Sequence, residues 1–269
     1  MPRIVQPSSK IITATPNILD VIENAARKCY LSEPKCSTNE TDRIQERADF
    51  LRSKIKLGHH SILEHGCITV EFVCDRGVSH EEVRHRLQAI SQESTRYCNY
   101  SKDKFGNEIA VITPFFFDSE SSCDTLVELP QSMFSGNGLP RFNLLYDSGK
   151  GYAETEVELN KFDVWFLSMQ MSEWAYLTLL KMGATPQEAR SVLPNSLKTE
   201  LVCTANVREW KLILNTRAVG ATGTPHPQML EIMIPLLKQM YEEWPILFEQ
   251  EYLAAQEKGR FEWWDANCK

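Results

Sequence analysis

The segment Ile68–Cys74 constrains the fold most, because it is the best candidate for a strand in the chain. Its residues are mainly β-branched or aromatic, and one face would carry Ile68, Val70, Phe72 and Cys74. A period of two in such residues is typical of a strand that buries one face.

Most other periodic segments predict helices. Apolar residues recur at helical spacing from Ile18 to Cys29 and from Ile44 to Ile55, and Gly58 predicts the end of the second helix. Ser61 and Glu64 have the spacing of a capping box, which predicts a short helical turn. Further helices are predicted over 164–182, from Thr185-Pro186 onward, over 207–217 and over 227–255, with Pro235 and Pro245 as kinks or breaks.

Composition excludes several classes of protein. The chain has 269 residues, a hydrophobic content of 42% and a net charge of −7, which suits a globular core and argues against a nucleic-acid coat. Its eight cysteines form no CxxC pair, so we expect free thiols in a reducing compartment. There is no apolar leader and no run of about 20 apolar residues. We therefore expect a cytoplasmic protein with no nucleic-acid or membrane partner.

A dense arginine motif occupies residues 84–97. It reads Arg84-His85-Arg86-Leu87-Gln88-Ala89-Ile90-Ser91-Gln92-Glu93-Ser94-Thr95-Arg96-Tyr97. Guanidinium groups present a planar fork of donors that suits phosphate oxygens and imide carbonyls, so the motif predicts an anion-recognition surface. The alternative is a solvated helix face whose arginines pair with Glu81, Glu82 and Glu93. Exposed pairs of that kind contribute only about 0–1 kcal/mol each.

The arginine motif is expected to begin on a helix. Asp75-Arg76-Gly77 predicts a turn, and Ser79 with Glu82 forms a capping-box pattern that predicts the start of a helix. Such a helix would carry Glu81, Arg84 and Gln88 on one face. The chain is expected to leave it between Ser91 and Ser94.

The segment His59–His65 raises a metal hypothesis, since it holds three histidines and Glu64. Zinc hydrolases use HExxH or HxxEH on a helix. Here the second pattern would need a histidine at position 61, which is Ser61, so His60 is out of register. We expect no metal; a ligand-binding role and a helix start with satisfied polar side chains both stay open.

Four polar residues far downstream are further candidates: Arg190, Asn206, Arg217 and His226. Arg190 is expected in the first turns of its helix, where the macrodipole does not favour a cation. His226 lies between two prolines after a glycine-containing loop. The chain has no GxGxxG, no GxxxxGK[ST] and no GxSxG motif.

Together these motifs resemble the flavin-dependent thymidylate synthases. The signature of that family is Arg-His-Arg, seven residues and then Ser, which Arg84–Arg86 and Ser94 match. The His59–His65 segment is similar to the family's His-x-Ser/Thr-x-x-Glu-His element. Ala189-Arg190-x-x-Leu193-Pro194, Asn206, Arg217 and His226 follow in the family's order. The resemblance covers most of the chain except residues 101–161.

The resemblance implies an α/β (α+β) single domain over residues 1–269, with helices packed around a central, mainly antiparallel sheet and a variable arm or insertion at about 101–161. It implies reductive methylation of dUMP to dTMP with FAD as cofactor, methylenetetrahydrofolate as carbon donor and NADPH as reductant. Four chains would form a homotetramer whose sites are shared between subunits.

The resemblance also assigns roles to individual residues. Substrate binding falls to Glu81, Arg84, Gln92, Ser94, Arg96, Arg190 and Arg217. Cofactor binding falls to His59, Ser61, Glu64, Arg84, His85, Arg86, Gln92, Asn206 and His226. Arg217 would be catalytic, because a fixed cation favours the anion of a weak acid such as the uracil imide.

Two other functions stay open on the residues alone. One is a nucleotide-binding regulator that keeps the fold but lacks turnover. The other is a metal-dependent phosphohydrolase that uses His59, His60, Glu64 and His65.

Overall fold

The computed structural model describes residues 1–34, 39–117, 141–147, 152–158 and 160–268. The chain forms two compact units. The sheet unit comprises Val5–Ser94 and Asn195–Lys269, and the smaller unit comprises Met1–Ile4 and Thr95–Pro194. The prediction of one domain over the whole chain stays a prediction.

Strands and helices are interspersed along the chain. The strands are β1 Arg3–Ile4, β2 Ser8–Ala14, β3 Cys67–Asp75, β4 Gln88–Gln92, β5 Ala110–Val111, β6 Arg141–Asp147, β7 Tyr152–Glu158 and β8 Lys198–Asn206. The α-helices are α1 Ile18–Tyr30, α2 Glu40–Lys56, α3 Arg76–Glu82, α4 Lys161–Lys181, α5 Pro186–Ala189, α6 Val207–Leu214, α7 Pro227–Glu243, α8 Pro245–Glu257 and α9 Arg260–Asn267. Short 3-10 helices span His60–His65, Asp103–Phe105 and Arg190–Val192, and a π-helix spans Asn215–Val219.

The sheet unit is built on an antiparallel sheet with the strand order β2-β3-β8-β4. Its register pairs Phe72 with Leu201 and Ile90 with Cys203. The predicted strand face is confirmed, since Ile68, Phe72 and the alternating residues between and beyond them are buried. Helices cover this sheet, so the predicted fold class of helices around a mainly antiparallel sheet is confirmed.

Polar contacts fix helices against the sheet. The Trp210 indole on α6 donates to Ile68 O at 2.9 Å, and Ser9 Oγ on β2 donates to Ile232 O on α7 at 2.8 Å. Both α6 and α7 bury apolar side chains in the same core, which also contains residues of α1, α2 and α8. The sheet, α6 and α7 thereby form the scaffold for the site described below.

The predicted turn at Asp75-Arg76-Gly77 is wrong, because α3 begins there. Asp75 Oδ1 accepts a hydrogen bond from the backbone N–H of Val78 at 2.8 Å and caps the helix. Ser79, predicted to be the cap, lies inside α3, where its hydroxyl donates to Arg76 O at 2.9 Å. An N-cap one turn earlier therefore replaces the predicted one.

The predicted helix through Gln88 is also wrong, since α3 ends at Glu82. Residues Gln88–Gln92 instead pair with Leu201–Ala205 of β8 as strand β4. Gln88 Nε2 donates to Glu82 O at 3.1 Å and satisfies a carbonyl at the end of α3. Pairing with a distant strand overrides the local helical spacing, and Arg84–Arg86 lie in the connection between α3 and β4.

The two prolines of the last helical region behave differently. Pro245 separates α7 from α8, as predicted, whereas α7 continues through Pro235. Proline lacks an N–H, so the carbonyl of Glu231 four residues earlier loses its helical partner. The Trp264 indole on α9 donates to that carbonyl at 3.2 Å, which removes the main reason for a break.

The smaller unit contains the long helix α4, whose predicted range of 164–182 matches closely. Asn160 and Asp163 form a capping box at its start. Glu173 accepts a hydrogen bond from the backbone N–H of Ile109 at 2.9 Å. Strands β6 and β7 pair antiparallel within the predicted arm of 101–161, whose polar tracts 119–124 and 135–138 lie outside the described residues.

Within the described ranges the cysteines are free thiols: Cys29, Cys67, Cys74, Cys98, Cys203 and Cys268. Cys36 and Cys123 lie outside those ranges. No helix in the described part of the chain is long and apolar enough to span a bilayer.

Candidate functional site

The arginine motif meets the downstream arginine at one point in the sheet unit. Arg217 Nη1 donates to a Glu81 carboxylate oxygen at 2.6 Å, and Nη2 donates to the backbone oxygen of Glu81 at 3.1 Å. Its Nε donates to His85 Nε2 at 3.1 Å. We call Glu81, His85 and Arg217 the arginine node; its members come from α3, the following connection and the π-helix.

The π-helix gives Arg217 its place in the node. Residues Asn215–Val219 follow α6 directly and end at Gly220, which has a φ of 78°. A π-helical turn is rare and often marks a functional site, because it redirects side chains that a continued α-helix would place elsewhere. The prediction of a helix over 207–217 is confirmed for 207–214 and corrected for the last turn.

His85 is neutral in the node at neutral pH. Burial lowers the pKa of its imidazole to about 4, and the neighbouring Arg217 cation lowers it further in the same direction. Because the Arg217 N–H can only donate, Nε2 of His85 must accept, which places the ring proton on Nδ1. His85 can therefore offer one donor to a ligand without carrying a charge.

A buried carboxyl lies next to the node. Glu82 is 1% exposed, and one of its oxygens accepts from Gln88 Nε2 at 3.2 Å. Its other oxygen is buried and has no hydrogen-bond partner within the described residues. Burial raises the pKa of Glu82 to about 7, although Gln88 and the Arg217 cation oppose the rise. The sequence suggested Glu82 as part of a capping box with Ser79 or as an ion-pair partner of exposed arginines, and nothing in its local sequence signals burial.

Arg84 and Arg86 flank the node with their cations available. Both side chains belong to exposed residues, and within the described ranges neither makes a hydrogen bond or an ion pair. The alternative, a solvated helix face whose arginines pair with Glu81, Glu82 and Glu93, is therefore wrong. Glu81 pairs with Arg217, and Glu93 pairs with Lys198 at 3.1 Å.

Gln92 and Ser94 lie at the end of β4. Gln92 Nε2 donates to Ser79 Oγ at 3.0 Å and to Thr199 Oγ1 at 3.2 Å. The amide nitrogen is thus engaged inside the sheet unit. Ser94 is half-buried two residues further along. The ligand roles predicted for both residues stay predictions.

The predicted cofactor residues of the His59–His65 segment have varied partners. The His59 ring stacks on Tyr30 with centroids 5.9 Å apart, and its Nδ1 lies 2.6 Å from the Tyr30 hydroxyl. Ser61 is exposed on the 3-10 helix. Glu64 accepts from Arg208 at 2.5 Å across a cleft of about 890 Å³. Tyr30 and Arg208 were missed by sequence analysis, and neither lies in a motif that could have indicated it.

The same cleft reaches the start of α6. Asn206 and Arg208 line the cleft together with Glu64 and Leu87. Leu87 directly follows Arg86 of the arginine motif. Asn206 also caps α6, since its side-chain oxygen accepts from the backbone N–H of Glu209 at 2.9 Å. Lys211 also lines the cleft, and its ammonium bonds the buried Glu251 carboxylate at 2.6 Å.

His226 stands at the start of α7. Its Nδ1 accepts from the backbone N–H of Gln228 at 3.3 Å, and its side chain is exposed. The Gln228 amide donates to Asp75 Oδ2 at 2.8 Å and links the starts of α7 and α3. Burial raises the pKa of Asp75. The Asp75–Gln228 contact was not foreseen, because the two residues are far apart in sequence.

Arg96 and Arg190 belong to the smaller unit. The Arg96 guanidinium lies 5.5 Å from the centre of the Tyr97 ring. Arg190 is exposed and directly follows α5, a helix of only four residues. Arg190 therefore lies one turn after the helix start capped by Thr185, as predicted, and is the first residue of the 3-10 helix Arg190–Val192.

Within the described ranges, no group of three or more His, Cys, Asp or Glu side chains is arranged to hold a metal ion. In the His59–His65 segment, His59 contacts Tyr30 and Glu64 pairs with Arg208, as given above.

Comparison with known proteins identifies the family. Residues 10–246 match the sequence model of the family described as "Thymidylate synthase complementing protein". A flavin-dependent thymidylate synthase of Corynebacterium aurimucosum is 26% identical over 246 residues, covering 89% of this chain and 82% of that protein. A protein with the same description from Geobacter sulfurreducens is 28% identical over 201 residues, covering 74% of this chain and 68% of that one.

Solved structures share the fold. The UMP/dUMP methylase PolB of Streptomyces cacaoi has a TM-score of 0.63 at 17% identity, covering 96% of this chain and 98% of that one. Thymidylate Synthase X of Helicobacter pylori has a TM-score of 0.59 at 19% identity, covering 91% of this chain and 98% of that one. With the family match spanning most of the chain, including both parts of the arginine node, the protein belongs to the flavin-dependent thymidylate synthases and is a methyltransferase of that type.

Proposed function

We propose that the protein converts dUMP to dTMP by reductive methylation, with FAD as cofactor, methylenetetrahydrofolate as carbon donor and NADPH as reductant. Family membership supports the reaction class. The Helicobacter pylori structure of the same fold is described with FAD and dUMP, which supports this pair of ligands. The folate and NADPH are inferred from the resemblance of the motifs.

The arginine node is the observation that carries the proposal. Arg217 is held by two contacts to Glu81 and one to His85, so its position is defined before substrate arrives. A preformed cation costs little reorganisation when charge develops in the substrate. Beside the uracil ring, Arg217 would favour the ionised imide and so make the ring a better nucleophile.

The residues around the node fit a large anionic cofactor. Arg84 and Arg86 present guanidinium groups that have no partner within the described residues, and such forks suit the phosphate oxygens of a dinucleotide. The adjoining cleft of about 890 Å³ is of the size that proteins use for cofactors. We propose that His59, Ser61, Glu64, Arg84, His85, Arg86, Gln92, Asn206 and His226 bind FAD. When bound, the flavin supplies the hydride chemistry, and the chain supplies orientation and charge.

We assign the nucleotide to Glu81, Arg84, Gln92, Ser94, Arg96, Arg190 and Arg217. Arg96 and Arg190 suit the phosphate, because fixed cations with several donors hold its oxygens. We also propose a homotetramer with sites shared between subunits, and a cytoplasmic location without nucleic-acid or membrane partners.

The absorption spectrum of the purified protein tests this function. We expect flavin bands that bleach under anaerobic NADPH, faster when dUMP is present, and dTMP formation when methylenetetrahydrofolate is added. Flavin binding without bleaching or dTMP would support the alternative of a regulator that lacks turnover. Absence of flavin after reconstitution with FAD would refute the proposal.

A further inference from the structure

The last segment of the chain supplies hydrogen-bond donors to backbone carbonyls near the arginine node. Lys258 Nζ donates to Gly220 O at 2.9 Å. Arg260 places Nε and Nη2 each 3.4 Å from Val219 O. Both carbonyls lie at the end of the π-helix that carries Arg217, one and two residues after Ala218.

We propose that Lys258 and Arg260 are positioning residues, which hold the carbonyl end of the π-helix and thereby set the Arg217 guanidinium against Glu81 and His85. This proposal rests on the proposed function, because the proposed function assigns Arg217 to nucleotide binding. Both residues lie beyond residues 10–246, the range matched by the family's sequence model.

The need for such an anchor follows from the way the π-helix ends. The last carbonyls of a helix have no partner within the helix, and cations are favoured beside them. Here the N–H groups of Gly220 and Ala221 both donate to Asn215 O, and the helix ends there. Within the described residues, no backbone N–H donates to the carbonyls of Val219 and Gly220. Charged donors make stronger hydrogen bonds than neutral donors do, so Lys258 and Arg260 are suited to hold these two carbonyls.

Close packing reinforces the anchor. A methyl group at Gly220 would lie 2.7 Å from Gly223 O, 2.8 Å from Pro225 Cδ and 3.1 Å from Arg260 Nη2. The Arg260 guanidinium therefore rests on the backbone of Gly220 with no room between them. A shift of Arg260 would release both the end of the π-helix and the loop that leads to α7.

The segment that carries Lys258 and Arg260 is itself fixed. On α9, Trp264 donates to Glu231 O as described above, and Lys238 of α7 lies over the rings of Phe261 and Trp264 at 5.2 and 5.0 Å. Side chains on such a supported element can define the position of a neighbouring residue, because they do not move freely with it.

Hydrogen exchange measured on the full-length protein tests the anchor directly. We expect the double variant Lys258→Met/Arg260→Met to exchange the amides of Gly220 and Ala221 faster than wild type. Arg52→Met is the matched control, because it removes a cation that pairs with Glu249 on α8 and that makes no hydrogen bond or ion pair with the π-helix within the described residues. Unchanged exchange in the double variant would overturn the proposal, whether or not the protein binds dUMP.

Nucleotide affinity tests the effect on Arg217. We expect the double variant to raise the Kd for dUMP roughly fivefold to tenfold, and Arg260→Lys to recover part of the loss. In an Arg217→Lys background the same pair of substitutions should change the Kd by less than about twofold, because the anchored group is already altered. Equal losses in both backgrounds would overturn the proposal.

Two further outcomes distinguish a failure of the proposed function from a failure of the anchor. A wild-type protein that binds neither FAD nor dUMP would refute the proposed function, while the exchange result would still decide the anchor. If the double variant melts as wild type does but binds dUMP normally with faster exchange, the anchor exists without positioning Arg217, and the proposal is refuted in its functional part.

Discussion

At the scale of single residues, the arginine node depends on a cation whose three donor nitrogens all have acceptors. Two of these bonds go to Glu81 and one to the neutral ring of His85. Lysine could not reproduce this fork, since its single ammonium is a point charge. The node therefore requires arginine for geometry as well as for charge.

Arg217→Ala should abolish turnover and leave FAD bound. Removing one preorganised electrostatic group typically lowers kcat by about 10² to 10³. The measurements are dTMP formation and the flavin absorbance of the purified variant, with Arg52→Met as the control for loss of a surface cation. An active Arg217→Ala enzyme would refute the assigned role.

Acid should weaken the node through His85. The folded-state pKa is lowered to about 4, so the unfolded chain binds more protons between pH 4 and about 6.5. The stability that His85 contributes is therefore present above about pH 6.5 and is lost as the pH falls toward 4. We expect His85→Gln to flatten the pH dependence of the free energy of unfolding by about 1 kcal/mol, after allowance for partial exposure. Denaturant unfolding at a series of pH values measures this, and parallel curves would contradict it.

Glu82 should act with the opposite sign. Its folded-state pKa is raised to about 7, so the folded protein binds more protons between pH 4.5 and 7. The stability associated with neutral Glu82 is present below pH 4.5 and is lost as the pH rises through 7. Glu82→Gln keeps an acceptor for Gln88 and removes the charge, so we expect its advantage over wild type to grow by roughly 2 to 3 kcal/mol from pH 5 to 8. Unfolding curves that stay a constant distance apart would show that Glu82 does not titrate there.

At the scale of elements, the π-helix joins α6 to the loop before α7 and depends on Gly220. Its φ of 78° is in the left-handed region, where a side chain is strained, and the contacts around it leave no space for a methyl group.

Gly220→Ala should be much more damaging than Gly58→Ala. Gly58 has nearly the same φ, 80°, but nothing lies within 4 Å of a methyl group there. Gly58→Ala therefore measures only the cost of placing a side chain on a left-handed backbone. We expect the free energy of unfolding to fall by about 1 kcal/mol for Gly58→Ala and by about 3 kcal/mol for Gly220→Ala. Thermal or denaturant unfolding compares the two, and equal losses would show that the loop yields to the added methyl group.

At the scale of the whole molecule, large apolar side chains of the smaller unit are exposed in a single chain. Tyr97 is 79% exposed, Trp174 is 63% exposed and Met182 is 79% exposed. Exposed apolar surface of this kind is often covered in an assembly. These side chains are candidates for burial at the interfaces of the proposed homotetramer.

Light scattering during gel filtration tests the assembly. We expect a mass of about four times that of one chain, and a loss of activity on dilution if the sites are shared. Trp174→Glu should shift the equilibrium toward smaller species, because it places a charge where apolar contact is expected. A fully active monomer would refute shared sites.

Local patterns predicted much of the fold and named the residues of the arginine node. The elements α1, α2 and β3 were visible because each has an apolar face at its own period, and α4 was visible as a long, mostly apolar segment. The strands β2, β4 and β8 were not predicted. Their alternation is weaker, and β4 owes its conformation to hydrogen bonds with β8 more than a hundred residues away.

The sequence by itself determined the chemistry: an arginine motif, a downstream arginine and the family that contains both. Only the tertiary structure decided that Arg217 meets Glu81 and His85, that Glu82 is a buried acid, and that Lys258 and Arg260 reach the end of the π-helix. The reason is physical. Side-chain type and local spacing are properties of neighbouring residues, whereas burial, pKa shifts and hydrogen-bond partners depend on which distant segments pack together.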